Sequence, residues 1–272
     1  MARLPEQRSP LPQIRPDAVY RIKGGTEQLP AAMAGALGDR LLLETAVVGM
    51  EQDGNSVSVR CRHLPSAHLY SILADRVICT LPFSVLRQLD YTPTNALVRT
   101  AIGELEYTSV TRAFLEFQSR FWLARGKSGA AATDLPEGRG QYPGVWIEDA
   151  TATQPGTAGI LDCYFTGHWA REVATLAPPM AAELALQQVQ RVFPEARSHY
   201  SRRYQIFSWD GEEWNRGDYC WFRPGQMARF GNFWHSRDGR IHFAGDHASA
   251  LPGWMQGALE SGVRAASEAN DA

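Results

Sequence analysis

The chain has 272 residues, 44% of them hydrophobic, and 27 Lys and Arg against 29 Asp and Glu leave a net charge of −2. This is enough apolar content for a substantial core in one or two domains, and the charge balance offers no basic face for nucleic acid or an anionic membrane surface. No apolar run approaches the roughly 18 residues that cross a bilayer, and no signal-peptide pattern opens the chain, so a cytoplasmic location is the default expectation.

Residues 1–17 contain Pro and Arg without periodicity and read as an arm rather than core. A strand follows at 19–22, a turn at Gly24 and Gly25, and a short helix over 29–37 that tolerates Pro30 in its first turn. Segments 41–44, 46–51 and 57–61 alternate like strands, with Asp53, Gly54 and Asn55 as a hairpin turn, and 76–80 is a further buried strand closed by Leu81 and Pro82. Segments 111–117 and 159–165 are predicted strands, and 179–192 carries Ala, Leu and Val at helical spacing. Near the end, 241–244 is a short buried strand stopped by Gly245, and 255–269 is a helix with Leu259, Val263 and Ala266 at helical spacing.

Cys61, Cys79, Cys163 and Cys220 form no C-x-x-C pair and have no His at metal spacing, so they read as reduced, mostly buried thiols, with no metal site expected. Trp122, Trp146, Trp169, Trp221 and Trp234 are expected to fill core volume. Neither G-x-S-x-G nor H-E-x-x-H occurs, which leaves hydrolase and metalloprotease chemistry without a motif. The strand, loop and helix at 241–269 place an acid, Asp246, just after a strand and before a helix start. A helix start presents unpaired N–H groups and a positive dipole end, and an acid there accepts from sugar hydroxyls. The pair suits a nucleotide cofactor, although the same arrangement serves as an ordinary packing unit.

Phe243, Ala244, Gly245 and Asp246, then Gly253-Trp254-Met255-Gln256-Gly257-Ala258-Leu259-Glu260-Ser261-Gly262, closely resemble the final segment of the flavin amine oxidases, which include monoamine oxidases and L-amino acid oxidases. Asp246 stands where that family usually has Glu. The resemblance extends over roughly 18–270. It implies an α/β fold, with a partial FAD domain of the two-dinucleotide-binding type at 18–92 and 208–272 and a mixed-sheet substrate domain at 93–207. It also implies that Asp246, beside Gly245 and Gly253, holds the FAD ribityl chain, that the Met255 backbone meets the flavin pyrimidine edge, and that Val47 meets the adenine. Val77 to Pro82 resembles the family strand ending in T-x-P beneath the cofactor. Trp209, Trp214, Gly217 and Tyr219 resemble the segment that passes beside the flavin ring, with Trp214 in place of the usual Tyr. Tyr219 and Trp254 are the implied walls of an aromatic cage, aligning a neutral amine with the flavin. Tyr164 matches the tyrosine that binds a substrate α-carboxylate, and 133–136 with 141–143 resembles a loop of the L-amino acid oxidase branch. Asp218 occupies the position where one branch ties its flavin to Cys, which implies non-covalent FAD.

Two departures stand out. The family lysine near the flavin aligns with Arg112, which stays charged and holds water or a carboxylate without shuttling a proton. No G-x-G-x-x-G occurs, and its acidic partner about twenty positions on is missing too. With Met1 at its start, the chain is therefore expected to be a small subunit, completed by a partner carrying the Rossmann half and an arginine for the substrate carboxylate; a shortened or processed piece of a longer protein would look the same. The expected reaction is FAD-dependent oxidation of an L-α-amino acid to the 2-oxo acid, ammonia and hydrogen peroxide, with Arg112, Tyr219 and Trp254 at the reacting centre and oxygen as acceptor. Amine or polyamine oxidation, an amino acid 2-monooxygenase, and a non-catalytic scaffold subunit are the alternatives.

Overall fold

The structure is a computed structural model that describes residues 22–133, 145–230 and 236–271. The arm at 1–17, most of the strand expected at 19–22, the loop resemblance at 134–136 and 141–143, and Trp234 lie outside the described residues. The chain divides into two units, one of Met1–Leu43 with Thr153–Pro155 and one of Glu44–Ala152 with Gly156–Ala272.

In the smaller unit, α1 (Gln28–Leu37) forms as expected, with Pro30 in its first turn, and ends where the Gly38 N–H bonds back to Ala34. The strand expected at 41–44 is absent. Leu42 and Leu43 are 56% and 72% exposed, and Glu44 adopts a left-handed φ of 53° just before the first true strand. An apolar run becomes a strand only where a neighbour pairs along it. Among the described residues Leu41 N–H donates to Gly38 O and Leu64 N–H to Glu44 O, and these two bonds form no ladder.

The larger unit opens with an antiparallel three-stranded sheet of β1 (Thr45–Gln52), β2 (Val57–His63) and β3 (Leu69–Ala74). Asp53 caps the first hairpin by accepting from the Asn55 and Ser56 N–H groups at 2.7 and 2.8 Å. Next come β4 (Val77–Cys79), α2 (Phe83–Leu86) and α3 (Ala96–Glu104), whose N-cap Asn95 accepts from Leu97 and Val98. β5 (Glu106–Tyr107) leads into β6 (Val110–Phe117), α4 (Phe121–Ala124), β7 (Ala131–Thr133), β8 (Val145–Asp149), β9 (Gly159–Thr166), α5 (Gly167–Ala174), α6 (Pro178–Val192), α7 (Ala196–His199) and β10 (Tyr200–Ser208). The order closes with β11 (Cys220–Trp221), α8 (Gln226–Phe230), β12 (Ile241–Phe243) and α9 (Met255–Asp271).

Strands β10, β6, β9, β8 and β7 form one sheet in that order. The sequence resemblance implies a mixed sheet here, but every pairing among the described residues is antiparallel. The parallel pair is β4 with β12, in the segment assigned to the cofactor. Along β6 and β9 burial alternates, so one face carries Ala113, Leu115, Leu161, Cys163 and Phe165 into a core closed by α6 through Ala181, Ala185, Leu186 and Val189. Trp122 is fully buried there, its indole N–H donating to Asp149 at 3.0 Å.

A second core gathers Met50, Val57, Phe83, Leu86, Val98, Leu105, Ile241 and Phe243. The fully buried Asp238 ties its periphery together. It accepts from Tyr91 Oη at 2.7 Å, Gln52 Nε2 at 3.0 Å, and the Thr94 and Asn95 N–H groups at 2.9 and 2.7 Å. All four cysteines are free and buried, and burial pushes the Cys79 thiol up to about 11. Among the described residues no helix is long and apolar enough to cross a membrane, and no group of side chains could hold a metal.

Candidate active site

The face of the five-stranded sheet opposite α6 carries the site. Register sets Arg112 on β6 beside Tyr164 on β9, with Trp146 on β8 beyond it, and Asp162 and Glu148 pair one step along the same face. Period-two spacing already places Asp162 with Tyr164; only the strand pairing brings Arg112 and Trp146 to them. Arg112 forms an ion pair with Asp162, whose carboxylate is 4% exposed, and its guanidinium lies 5.4 Å from the Tyr164 ring centre and 5.2 Å from that of Phe114. The near-flavin water role inferred for Arg112 thus has competition, because this guanidinium already neutralises a buried acid.

Tyr164 projects across the site, and its hydroxyl donates to Asp218 at 2.9 Å. Burial and the adjacent Asp218 carboxylate push the Tyr164 hydroxyl far above the ordinary phenol range, so it remains a donor. Burial also raises Asp218, against the opposing pull of the Tyr164 hydrogen bond and Arg112.

The loop that delivers Asp218 is clipped to the start of β6. The Trp209 N–H donates to Val110 O at 3.0 Å, Gly217 N–H to Trp209 O at 3.1 Å, and Asp218 N–H to Thr108 O at 2.9 Å. Trp209 sits edge-on to Phe207 with ring centres 4.8 Å apart, while Trp214 is 43% exposed on the outside of the loop. Tyr219 then packs over Gly253: a Cβ there would lie 3.2 Å from the ring, at a φ of +80° that favours glycine. Gly253 in turn donates its N–H to the Asp246 carboxylate at 3.0 Å. Burial pushes Asp246 up, but hydrogen bonds from His247 and Gly253 outweigh it, and the carboxyl lies below its usual range and stays ionised.

An unbroken run of contacts therefore links Arg112, Tyr164, Asp218, Tyr219, Gly253 and Asp246. The β12 end is stitched to α9 where Ser261 Oγ accepts from Gly245 N–H at 2.8 Å. Gly257 lets the first turn of α9 close on the preceding loop, since a Cβ would stand 2.4 Å from Leu251 O. That closure leaves Trp254 and Met255 at the helix start 58% and 60% exposed. An ionised acid, a helix start and exposed residues beside them fit a nucleotide cofactor. Val47 stays apart. It lies at a bulge in β1, packed against the second core, with no contact among the described residues tying it to this group.

Two cavities meet at Trp146 and Tyr164. One, of about 290 Å³, is lined by Arg112, Trp146, Glu148, Asp162 and Tyr164. The other, of about 840 Å³, runs on past Tyr107, Tyr219 and Trp221. Trp146 and Trp221, expected in the core, are 50% and 40% exposed. An outward strand position overrides the aromatic preference for burial, and both rings wall the cavity instead. Asp162, Asp218 and Trp146 are the site residues that sequence reasoning did not assign. In the sequence Asp218 stands out only as the position where one branch of the family attaches its flavin, and its bond to Tyr164 has no sequence signal.

A family profile for flavin containing amine oxidoreductase matches residues 12–270. A putative L-amino-acid oxidase of Bacillus subtilis is 34% identical over 262 residues, 94% of this chain and 53% of that protein. An L-amino-acid oxidase of Siganus canaliculatus is 26% identical over 92% of this chain and 47% of its own length. Among solved structures, a putrescine oxidase triple mutant superimposes with a TM-score of 0.77 at 24% identity, over 90% of this chain and 52% of that one. Cyclohexylamine oxidase from Brevibacterium oxydans does so with a TM-score of 0.72 at 25% identity, over 90% and 51%. The chain spans about half the length of the relatives it matches.

Proposed function

This chain belongs to the flavin containing amine oxidoreductases, and on that premise we propose that it forms the substrate-binding half of an FAD-dependent L-amino acid oxidase, completed by a partner subunit that carries the pyrophosphate-binding turn. When bound, FAD would supply the redox chemistry, taking two electrons with the Cα hydrogen while the amine gives up an N–H proton, and the two electrons would reach oxygen with two protons to give hydrogen peroxide. Asp246 would accept from the ribityl hydroxyls of a non-covalent FAD, and the α9 start at Met255 would offer N–H groups to its ring edge. Tyr219 and Trp254 align the neutral amine, Arg112 orders the groups around Asp162, and water hydrolyses the imino acid to the 2-oxo acid and ammonia.

The observation that carries the amino acid reading is the Tyr164 hydroxyl, which lines both cavities and already donates to a carboxylate. A substrate carboxylate taking that hydrogen bond replaces a partner of the same charge and shape. The partner reading is supported by α9, where Met255, Leu259 and Val263 stand 60%, 42% and 71% exposed at helical spacing. It is supported as well by the two-stranded parallel pair β4 and β12, because parallel sheets are normally covered on both faces. Replacing Tyr164 with Phe is expected to raise KM for amino acids about tenfold, the worth of one charge-assisted hydrogen bond, and to leave KM for the decarboxylated amines nearly unchanged. Equal effects on both substrate classes would remove the carboxylate role and favour a simple amine as substrate.

A further inference from the structure

The 840 Å³ cavity is lined by three arginines, Arg87, Arg171 and Arg216, and one carboxylate, Glu106. Glu106 is neutralised by Arg223. Arg87 is engaged with the backbone, donating to the carbonyls of Ile102 and Leu105. The other two have capacity left. Arg171 donates to Ser109 Oγ at 3.0 Å and pairs with no carboxylate, and Arg216 has no side-chain partner, among the described residues. A guanidinium has five donors and stays charged at every working pH. Arg171 and Arg216 are both solvent-exposed, so their pull on an anion comes from two positive charges and two donor forks lining the same cavity, and it weakens with salt.

Their placement ties this charge to the reacting centre. Arg171 projects from α5, which directly follows the strand that carries Tyr164. Arg216 sits on the loop that delivers Asp218 and Tyr219, in a left-handed conformation of φ 51° that few non-glycine residues adopt. Trp146 and Tyr164 mark where the two cavities join, so a substrate held at Tyr164 has the arginine-lined space open to its remaining atoms.

We propose that Arg171 and Arg216 bind a second anionic group of the substrate, so that the preferred substrate is an amino acid with an acidic side chain. This rests on the oxidase reading above, with the α-carboxylate at Tyr164 and the side-chain carboxylate at the two arginines. Neutral side chains of the same length leave both guanidiniums without an anion and are discriminated against.

Trp146 and Trp221 line the cavity and report its occupancy by fluorescence. The assembled flavoenzyme is titrated with glutarate and with glutaramide, its neutral counterpart of the same shape, and kcat/KM is measured for glutamate and glutamine. Glutarate is expected to bind saturably and at least tenfold more tightly than glutaramide. Arg171→Gln and Arg216→Gln are each expected to lower both the glutarate preference and the glutamate-to-glutamine ratio about tenfold, whereas Arg171→Lys, which keeps the charge, restores part of both. Equal binding of the two probes, or a glutamate-to-glutamine ratio that neither variant changes, overturns the proposal. If neutral amino acids are oxidised without any preference for acids, the anion site alone fails. If glutarate binds through both arginines but no amino acid is oxidised, the oxidase reading fails and the anion site stands.

Discussion

In the five-stranded sheet Leu115, Leu161 and Phe165 are fully buried beneath α6, whereas on α9 Met255, Leu259 and Val263 stand 60%, 42% and 71% exposed. Both sets follow regular apolar spacing, yet α9 leaves its large apolar residues uncovered within this chain. Its inward face is made of Gly257, Ser261 and Ala265, which let the helix lie close on β12, and its large apolar residues point outward. The sheet has its covering layer within this chain; the β4, β12 and α9 layer has one face covered. Apolar residues at helical spacing identify a helix and a contact face, and say nothing about which molecule supplies the other side of the contact.

That contrast can be tested by perturbing each side. The largest effect is expected inside the closed core, where Trp122→Ala removes a fully buried indole and takes the Trp122 donor from Asp149 Oδ2, while Thr151 keeps its bonds to Oδ1; a loss of about 3–5 kcal/mol in urea unfolding is expected. A loss under about 1 kcal/mol would mean that the sheet is no better closed than the cofactor-side layer.

An intermediate effect is expected at Asp238, the buried acceptor at the edge of the second core. Burial opposes its charge, but hydrogen bonds from Thr94, Tyr91 and Asn95 prevail and hold its carboxyl below the usual range. A depressed folded pKa contributes stability that is complete above the unfolded value of about 3.9 and is lost as pH falls through the folded value. Asp238→Asn is expected to cost about 1–3 kcal/mol near neutrality, and the gap between the two proteins should narrow below about pH 4. A gap that stays constant to pH 2 would show that the hub does not depend on its charge.

The smallest effect is expected on the outer face of α9. Val263→Ser is expected to change the stability of the isolated chain by no more than about 0.5 kcal/mol, yet to weaken retention of the partner and of flavin in co-purification. A loss of several kcal/mol in the isolated chain would mean that this face is already covered.

Much of the fold was readable because spacing and register have simple periods. Alternation along 111–117 and 159–165 reports which side chains share a face, and the segment from Phe243 to Gly262 carries enough conformational constraint, at Gly253 and Gly257, to be recognisable in one dimension. The apolar run 41–44 misled because a strand exists only with a partner, and Trp146 and Trp221 misled because hydrophobicity does not reveal which way a strand residue points. The family relationship, the strand, loop and helix at 241–269, and the free, buried cysteines were legible in the sequence itself, since each depends on residues close together along the chain. The ion pair of Arg112 with Asp162, the Asp218 carboxylate on Tyr164, the arginine-lined cavity and the outward face of α9 were decided only by tertiary structure. Each joins residues far apart in sequence, and strand pairing and helix docking choose which of them meet.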